Sequence, residues 1–169
     1  MNNEHTDRTL VVYDLDGTLI EMKPIKEQIS EFVQAFKYVP KGITWIDSNE
    51  SLINVRLNSV IFDVVQFTND SRNENYKVAL ISNRKKLLYK PIIQLLARLG
   101  VDVDYVLLKD GNESKFERLK RIIDGQHFHN IFIYEDDIKQ INEYEKHRKY
   151  LESLNINYHI YNVNDYVDG

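Results

Sequence analysis

The chain has 169 residues and a mass of 20.1 kDa, enough for one well-filled domain and too little for two ordinary ones. Apolar residues at 43% and charged residues at 28% permit a buried core, while 22 Lys and Arg against 26 Asp and Glu leave a net charge of -4, which excludes a uniformly basic nucleic-acid coat and allows only a local basic patch. The absence of cysteine excludes a disulfide framework, a thiolate nucleophile and a Cys-based zinc site; Met1 to Arg8 is polar and no apolar run approaches the roughly 20 residues that span a bilayer, so a soluble, cytoplasmic protein with no membrane partner is expected.

In chain order, the first element is a strand at Thr9 to Tyr13, apolar without alternation, as in a central parallel strand covered on both faces. A helix over about Pro24 to Tyr38 follows, with Ile25, Ile29, Phe32, Val33 and Phe36 on one face and Pro24 suited to a first turn. The segment from Glu21 to about Glu50 is too long for a tight strand-to-helix connection and reads as a small flap or lid inserted after the first strand. A second helix is expected from about Leu52 to Thr68, a strand at Lys77 to Ile81, and a third helix from about Lys85 to Leu99, which Pro91 either kinks or truly begins and Gly100 stops. Then come a strand at Tyr105 to Leu108, a helix at about Ser114 to Ile123, an apolar strand at Asn130 to Tyr134, a helix from about Ile138 to Leu154, and a strand at Asn157 to Tyr161. Five short strands alternating with helices predict an α/β fold with a mostly parallel sheet, formed as a single domain over residues 1–169.

Two strand ends carry acids. The first strand runs directly into Asp14-Leu15-Asp16-Gly17-Thr18, and ligands of open α/β sheets bind beyond the carboxyl ends of the strands. Clustered carboxylates are costly to ionise unless a cation compensates, and Mg²⁺ prefers such hard oxygen donors; the same string also makes a good β-turn, with Gly17 supplying the backbone freedom. The other acidic end is Glu135-Asp136-Asp137, which also suits the N-terminus of a following helix. Between them lie Ser82-Asn83-Arg84, a strand end or a cap, and Lys115, which opens a basic helix.

In this order the four segments resemble the motifs of the haloacid dehalogenase-like (HAD) superfamily of phosphohydrolases. Asp14, Asp16 and Thr18 match the first motif, Ser82 the hydroxyl motif, Lys115 the lysine motif with Lys109 as competitor, and Glu135-Asp136 the acidic pair. The resemblance covers most of the chain and implies a Rossmann-like three-layer sandwich of five strands. It also implies a Mg²⁺-dependent phosphomonoesterase in which Asp14 becomes an aspartyl phosphate and Asp16 is the general acid and base, its carboxyl held protonated more readily than that of Asp14. Ser82 and the Asn83 backbone would bind the transferring oxygens with Thr18 and Arg84 beside them, Lys115 would neutralise charge, and Mg²⁺ would sit on Asp14, the Asp16 backbone carbonyl and Asp136.

Within the superfamily the chain looks like the Swiss-army-knife RNA-repair-like HAD domains and, more loosely, the 3′-phosphatase domains of polynucleotide kinases. The features that carry this are Tyr134-Glu135-Asp136, Ser82 to Arg84, the Lys115 helix and Trp45 in the insert, whereas Asp137 stands where those relatives tend to have Arg and Gln140 where the repair-like group tends to have His. The implied partner is a phosphorylated substrate, a nucleic-acid 3′-phosphate end or a nucleotide, with no obligate protein partner. Arg84, Lys85 and Lys86 would face extra phosphates, and Trp45 and Tyr38 would stack on a base or else form the core of the lid. The alternatives are a small-metabolite HAD phosphatase, a non-catalytic binding module and a receiver-type phosphoacceptor. His127 and His129 lack further ligands and read as a loop feature.

Overall fold

The computed structural model describes residues 7–166, so most of the polar Met1 to Arg8 stretch lies outside it. Strands β1 (Thr9–Tyr13), β2 (Tyr76–Lys85), β3 (Tyr105–Lys109), β4 (Asn130–Glu135) and β5 (Asn157–Asn162) pair in the order β3-β2-β1-β4-β5. All four pairings are parallel, so the sheet is wholly rather than mostly parallel and every strand points its carboxyl end to the same edge. β1 is central and buried along its whole length, because its apolar residues have a layer to enter on either side. Val11 and Tyr13 join Val78, Leu80, Val65, Ile92 and Leu95 beneath helices α2 (Phe62–Ser71) and α3 (Tyr89–Leu99). Leu10 and Val12 join Ala79, Ile81, Phe116, Leu119 and Leu151 on the opposite face, beneath α4 (Lys115–Ile123), α5 (Ile138–Glu145) and α6 (Arg148–Ser153). The architecture is a three-layer α/β sandwich, and among the described residues no helix is long and apolar enough to cross a membrane.

The helix expected over 52–68 is not continuous. Arg56 to Asn58 lies extended along Leu19 to Glu21, with Asn58 N–H donating to the Leu19 carbonyl at 2.7 Å, and the chain recoils only at α2. Apolar spacing there records two short 3-10 turns that bury Leu52 and Ile61. The helix expected over 138–154 breaks after Glu145, where the His147 ring stacks on Phe116 at 3.6 Å and Arg148 turns to the Tyr158 carbonyl. β2 continues to Lys85, so α3 begins at Tyr89 and Pro91 marks its first turn rather than a kink.

The 21–50 segment holds helix α1 (Ile25–Phe36) and a 3-10 turn at Trp45–Asp47. Of the predicted apolar face of α1 only Phe32 is buried. It meets the Trp45 ring edge-on at 5.5 Å, and the Trp45 indole N–H donates to Gln28. Trp45 therefore forms the insert's core, and no face of it is offered to a base; Tyr38 is half exposed against Phe32, with its hydroxyl donated to Glu50.

Candidate active site

Asp14 follows the last residue of β1 and is only 7% exposed. Gly17, at φ +78°, lets the chain turn back at once, and a Cβ there would lie 2.2 Å from an Asp136 carboxylate oxygen. The absence of a side chain at position 17 is what admits Asp136 from the neighbouring strand end.

Lys115 is delivered by the first turn of α4, which Ser114 and Glu117 fix with a reciprocal capping box. Its ammonium donates to Asp14 Oδ1 and Glu135 Oε2, each at 2.8 Å, in a nearly dry setting. Glu135 Oε1 also faces the N–H groups of Asp136 and Asp137 at 3.3 Å, and Thr18, buried beneath, has its hydroxyl 3.3 Å from Asp14 and 3.4 Å from Asp136. Asp14, Glu135 and Asp136 bring one oxygen each within 4.8 Å of one another.

Three carboxylates against one ammonium leave an excess of negative charge. Burial pushes the Asp14 carboxyl up to about 7 despite Lys115, and burial together with the Asp14 charge pushes Glu135 up to about 7. Burial raises Asp136 as well. For Lys115 burial works against the charge, but Asp14 and Glu135 outweigh it and the ammonium is held firmly protonated. An ionised Asp14 at neutral pH, as a nucleophile requires, thus needs a further positive charge in the site. Hard oxygen donors gathered in this way fit a small divalent cation.

Asp16 is turned elsewhere. Its two oxygens accept from Arg84 Nε and Nη2, both at 2.8 Å, a bidentate pair that is buried on the arginine side. Ser82 Oγ accepts the Arg84 N–H at 3.1 Å and keeps its own O–H to donate. Asp14, Asp16, Ser82, Asn83, Arg84, Lys115 and Asp136 line a single open cleft of about 550 Å³, with Lys85, Lys109, Asp137 and Gln140 at its margin.

No sequence-family model matches the chain, and no curated protein matches its sequence. Solved structures do match. A chain of the Pnkp1/Rnl/Hen1 complex aligns at TM-score 0.58 and 20% identity over 94% of this chain, which spans 47% of that one. A haloacid dehalogenase-like family hydrolase from Streptococcus pneumoniae aligns at 0.55 and 10% identity over 94% of this chain and 96% of its own. The HAD domain of effector protein Lem4 from Legionella pneumophila, solved as an inactive mutant, aligns at 0.53 and 16% identity over 93% of this chain and 86% of its own. The chain shares the fold of these structures, two of which are described as haloacid dehalogenase-like or HAD domains.

The HAD-like segments read from sequence all reach the carboxyl edge of the sheet. Lys115, rather than its competitor Lys109, contacts Asp14. The side-chain cluster contains Glu135 where the sequence-based ligand set has Asp16, which entered that set through its backbone carbonyl. Glu135 was noted only as part of a string; its place next to Asp136 at a strand end was the available signal. Arg118 was missed altogether. It is fully buried, donates to the Ser82 carbonyl at 2.6 Å and to the Asn83 side chain, and so fixes the irregular end of β2 after Ile81. Its spacing of three from Lys115 on one helix was the clue. His127 and His129 meet edge to face in a loop, where His129 Nδ1 accepts the Arg8 N–H.

Proposed function

We propose that the protein is a Mg²⁺-dependent phosphomonoesterase that works through a phosphoryl-aspartate on Asp14 and acts on a nucleic-acid 3′-phosphate end. The observation that carries this reading is the contact of Asp14 with Lys115 beside Asp136 at the end of the central strand. Lys115 engages Oδ1 of Asp14, which leaves Oδ2, in long contact with Thr18, to attack phosphorus. The ester P–O bond breaks as the Asp14 O–P bond forms, and the leaving oxygen takes a proton from Asp16, one oxygen of which has to leave Arg84 to carry it. Water then attacks the phosphoryl group, giving a proton to Asp16, and releases phosphate while Asp14 recovers its carboxylate. Ser82 and the Asn83 N–H stabilise the transferring oxygens, and Lys115 balances their charge.

Asp14, Asp136 and the Asp16 carbonyl would hold Mg²⁺, with Glu135 occupied by Lys115 and two N–H groups. When bound, the ion supplies charge that lets phosphate approach a carboxylate. The nucleic-acid reading is supported by the open cleft with Lys85 and Lys109 at its margin, and by likeness to a chain of a complex described as an RNA repair complex. Purified protein with Mg²⁺ should hydrolyse a generic aryl phosphate, and Asp14→Asn should lower the rate by about 10⁴ or more. Unchanged release in that variant would refute the nucleophile. A panel of 3′-phosphorylated oligonucleotides, nucleoside monophosphates and sugar phosphates tests the class, and preference for sugars would replace the nucleic-acid reading with a metabolite phosphatase.

A further inference from the structure

Arg84 follows the hydroxyl strand end and is a natural candidate to meet substrate phosphate, yet its guanidinium is fully engaged inside the protein. Two of its nitrogens hold both oxygens of Asp16, and the third, Nη1, donates to the Ile46 carbonyl at 2.6 Å and to Ser51 Oγ at 2.7 Å. Arg84 is 5% exposed and Ser51 2%, so these bonds are shielded from water and from salt. The adjacent Lys85 reaches Asp47 at 2.8 Å, a second tie to the same turn. Ile46, Asp47 and Ser51 all belong to the stretch that begins with Trp45, whose ring anchors the insert on Phe32. One planar side chain therefore connects the 45–52 turn to the end of β1, while Lys85 from β2 and Arg98 from α3 hold the same turn at Asp47 and at the Leu52 carbonyl. A lysine could not do this, because it offers no fork of fixed geometry.

We propose that Arg84 is a positioning residue that fastens the 45–52 turn of the insert to the Asp16 carboxylate, so that the seating of the insert sets the aim of that carboxylate. The tie itself rests on contacts alone; its effect on turnover rests on the phosphomonoesterase reading. While the turn is seated, Asp16 keeps one orientation, and when the turn lifts, Arg84 and Asp16 lose their common frame.

Trp45 is the single tryptophan of the chain, so its emission reports the insert without any need for activity. Arg84→Met and Asp16→Ala should each red-shift the emission and increase quenching by acrylamide, the double variant should go no further than either single one, and Arg84→Lys should fall between wild type and Arg84→Met. An unaltered Trp45 in Asp16→Ala, or additive shifts in the double variant, overturns the tie. The kinetic arm compares phenyl phosphate, whose leaving oxygen needs a proton, with dinitrophenyl phosphate, whose leaving group does not. Arg84→Met should lose about tenfold or more on phenyl phosphate beyond its loss on the dinitrophenyl ester, and Arg84→Lys should recover part of that difference. Equal losses on both esters would make Arg84 a merely structural residue and overturn the proposal. Should wild-type protein hydrolyse neither ester, the phosphomonoesterase reading fails, and the fluorescence arm still decides the tie.

Discussion

The two ends of the sheet are built from the same five strands and treat charge in opposite ways. At the amino end Arg72 pairs with Asp104 at 2.6 Å, Asp104 also takes the Val78 N–H at 2.9 Å, and Arg8 donates to the neutral Gln126. At the carboxyl end Asp14, Glu135 and Asp136 crowd around one lysine with little access to water. Pairwise settlement holds strands in place. Unsettled charge, held by a fold that is stable for other reasons, is available to a ligand.

If that contrast is right, the largest effect belongs to the cation that contacts both Asp14 and Glu135. Lys115→Met leaves buried carboxylates without a counter-charge and should cost about 3–5 kcal/mol in denaturant unfolding, together with activity. A loss no greater than for an exposed lysine would mean that the acids there are already neutral. Changing a carboxylate to an amide should then have opposite signs at the two ends. Asp136→Asn removes surplus charge and should raise the melting temperature of the metal-free protein by roughly 2–4 °C, about 1 kcal/mol, while abolishing any thermal shift produced by Mg²⁺.

Asp104→Asn should instead destabilise, by about 1 kcal/mol or less, because the pair lies at the surface and is screened. Burial alone would raise the Asp104 carboxyl, but Arg72 and the Val78 N–H outweigh it and hold it below its ordinary value. A carboxyl lowered on folding contributes fully above its unfolded pKa and loses that contribution as pH falls through the folded one. The gap between wild type and Asp104→Asn in urea melts should therefore be open at pH 7 and close below about pH 4. A gap that persists in acid would assign the effect to packing.

Much of this contrast was legible beforehand. β1 announces itself because its unbroken apolar run is satisfied in a strand covered on both faces; the same kind of run marks β4, although Phe132 and Tyr134 stay part-exposed on one face, and acids close both runs. Lys115 could be favoured over Lys109 since Phe116, Leu119 and Ile122 give it a helix to stand on. What failed was whatever depends on distant pairing. The spacing of Leu52 and Ile61 imitates a helix because two 3-10 turns also return apolar residues to the core, and the extended pairing of Arg56 to Asn58 with Leu19 to Glu21 leaves no local mark. The destination of Arg84 was equally hidden, since it is set by the path of a segment more than thirty residues away. Arg118 was discoverable from helical spacing, but its partners are a carbonyl and an amide more than thirty positions back, a destination that leaves no charge pattern in its own segment.

The strand order carries a consequence for how the molecule is assembled. β1 is flanked by β2 on one side and β4 on the other, and Lys115 lies 101 positions from the carboxylate it neutralises. A nascent chain that has left the ribosome only as far as β3 can close one half of the sheet, with β1 as a bare and wholly apolar edge and no counter-ion for Asp14. Long-range closure of this kind is slow, and an unpaired apolar strand edge is a template for association. Asp14 meets Lys115 only once α4 has packed, and Glu135 and Asp136 only once β4 has paired with β1.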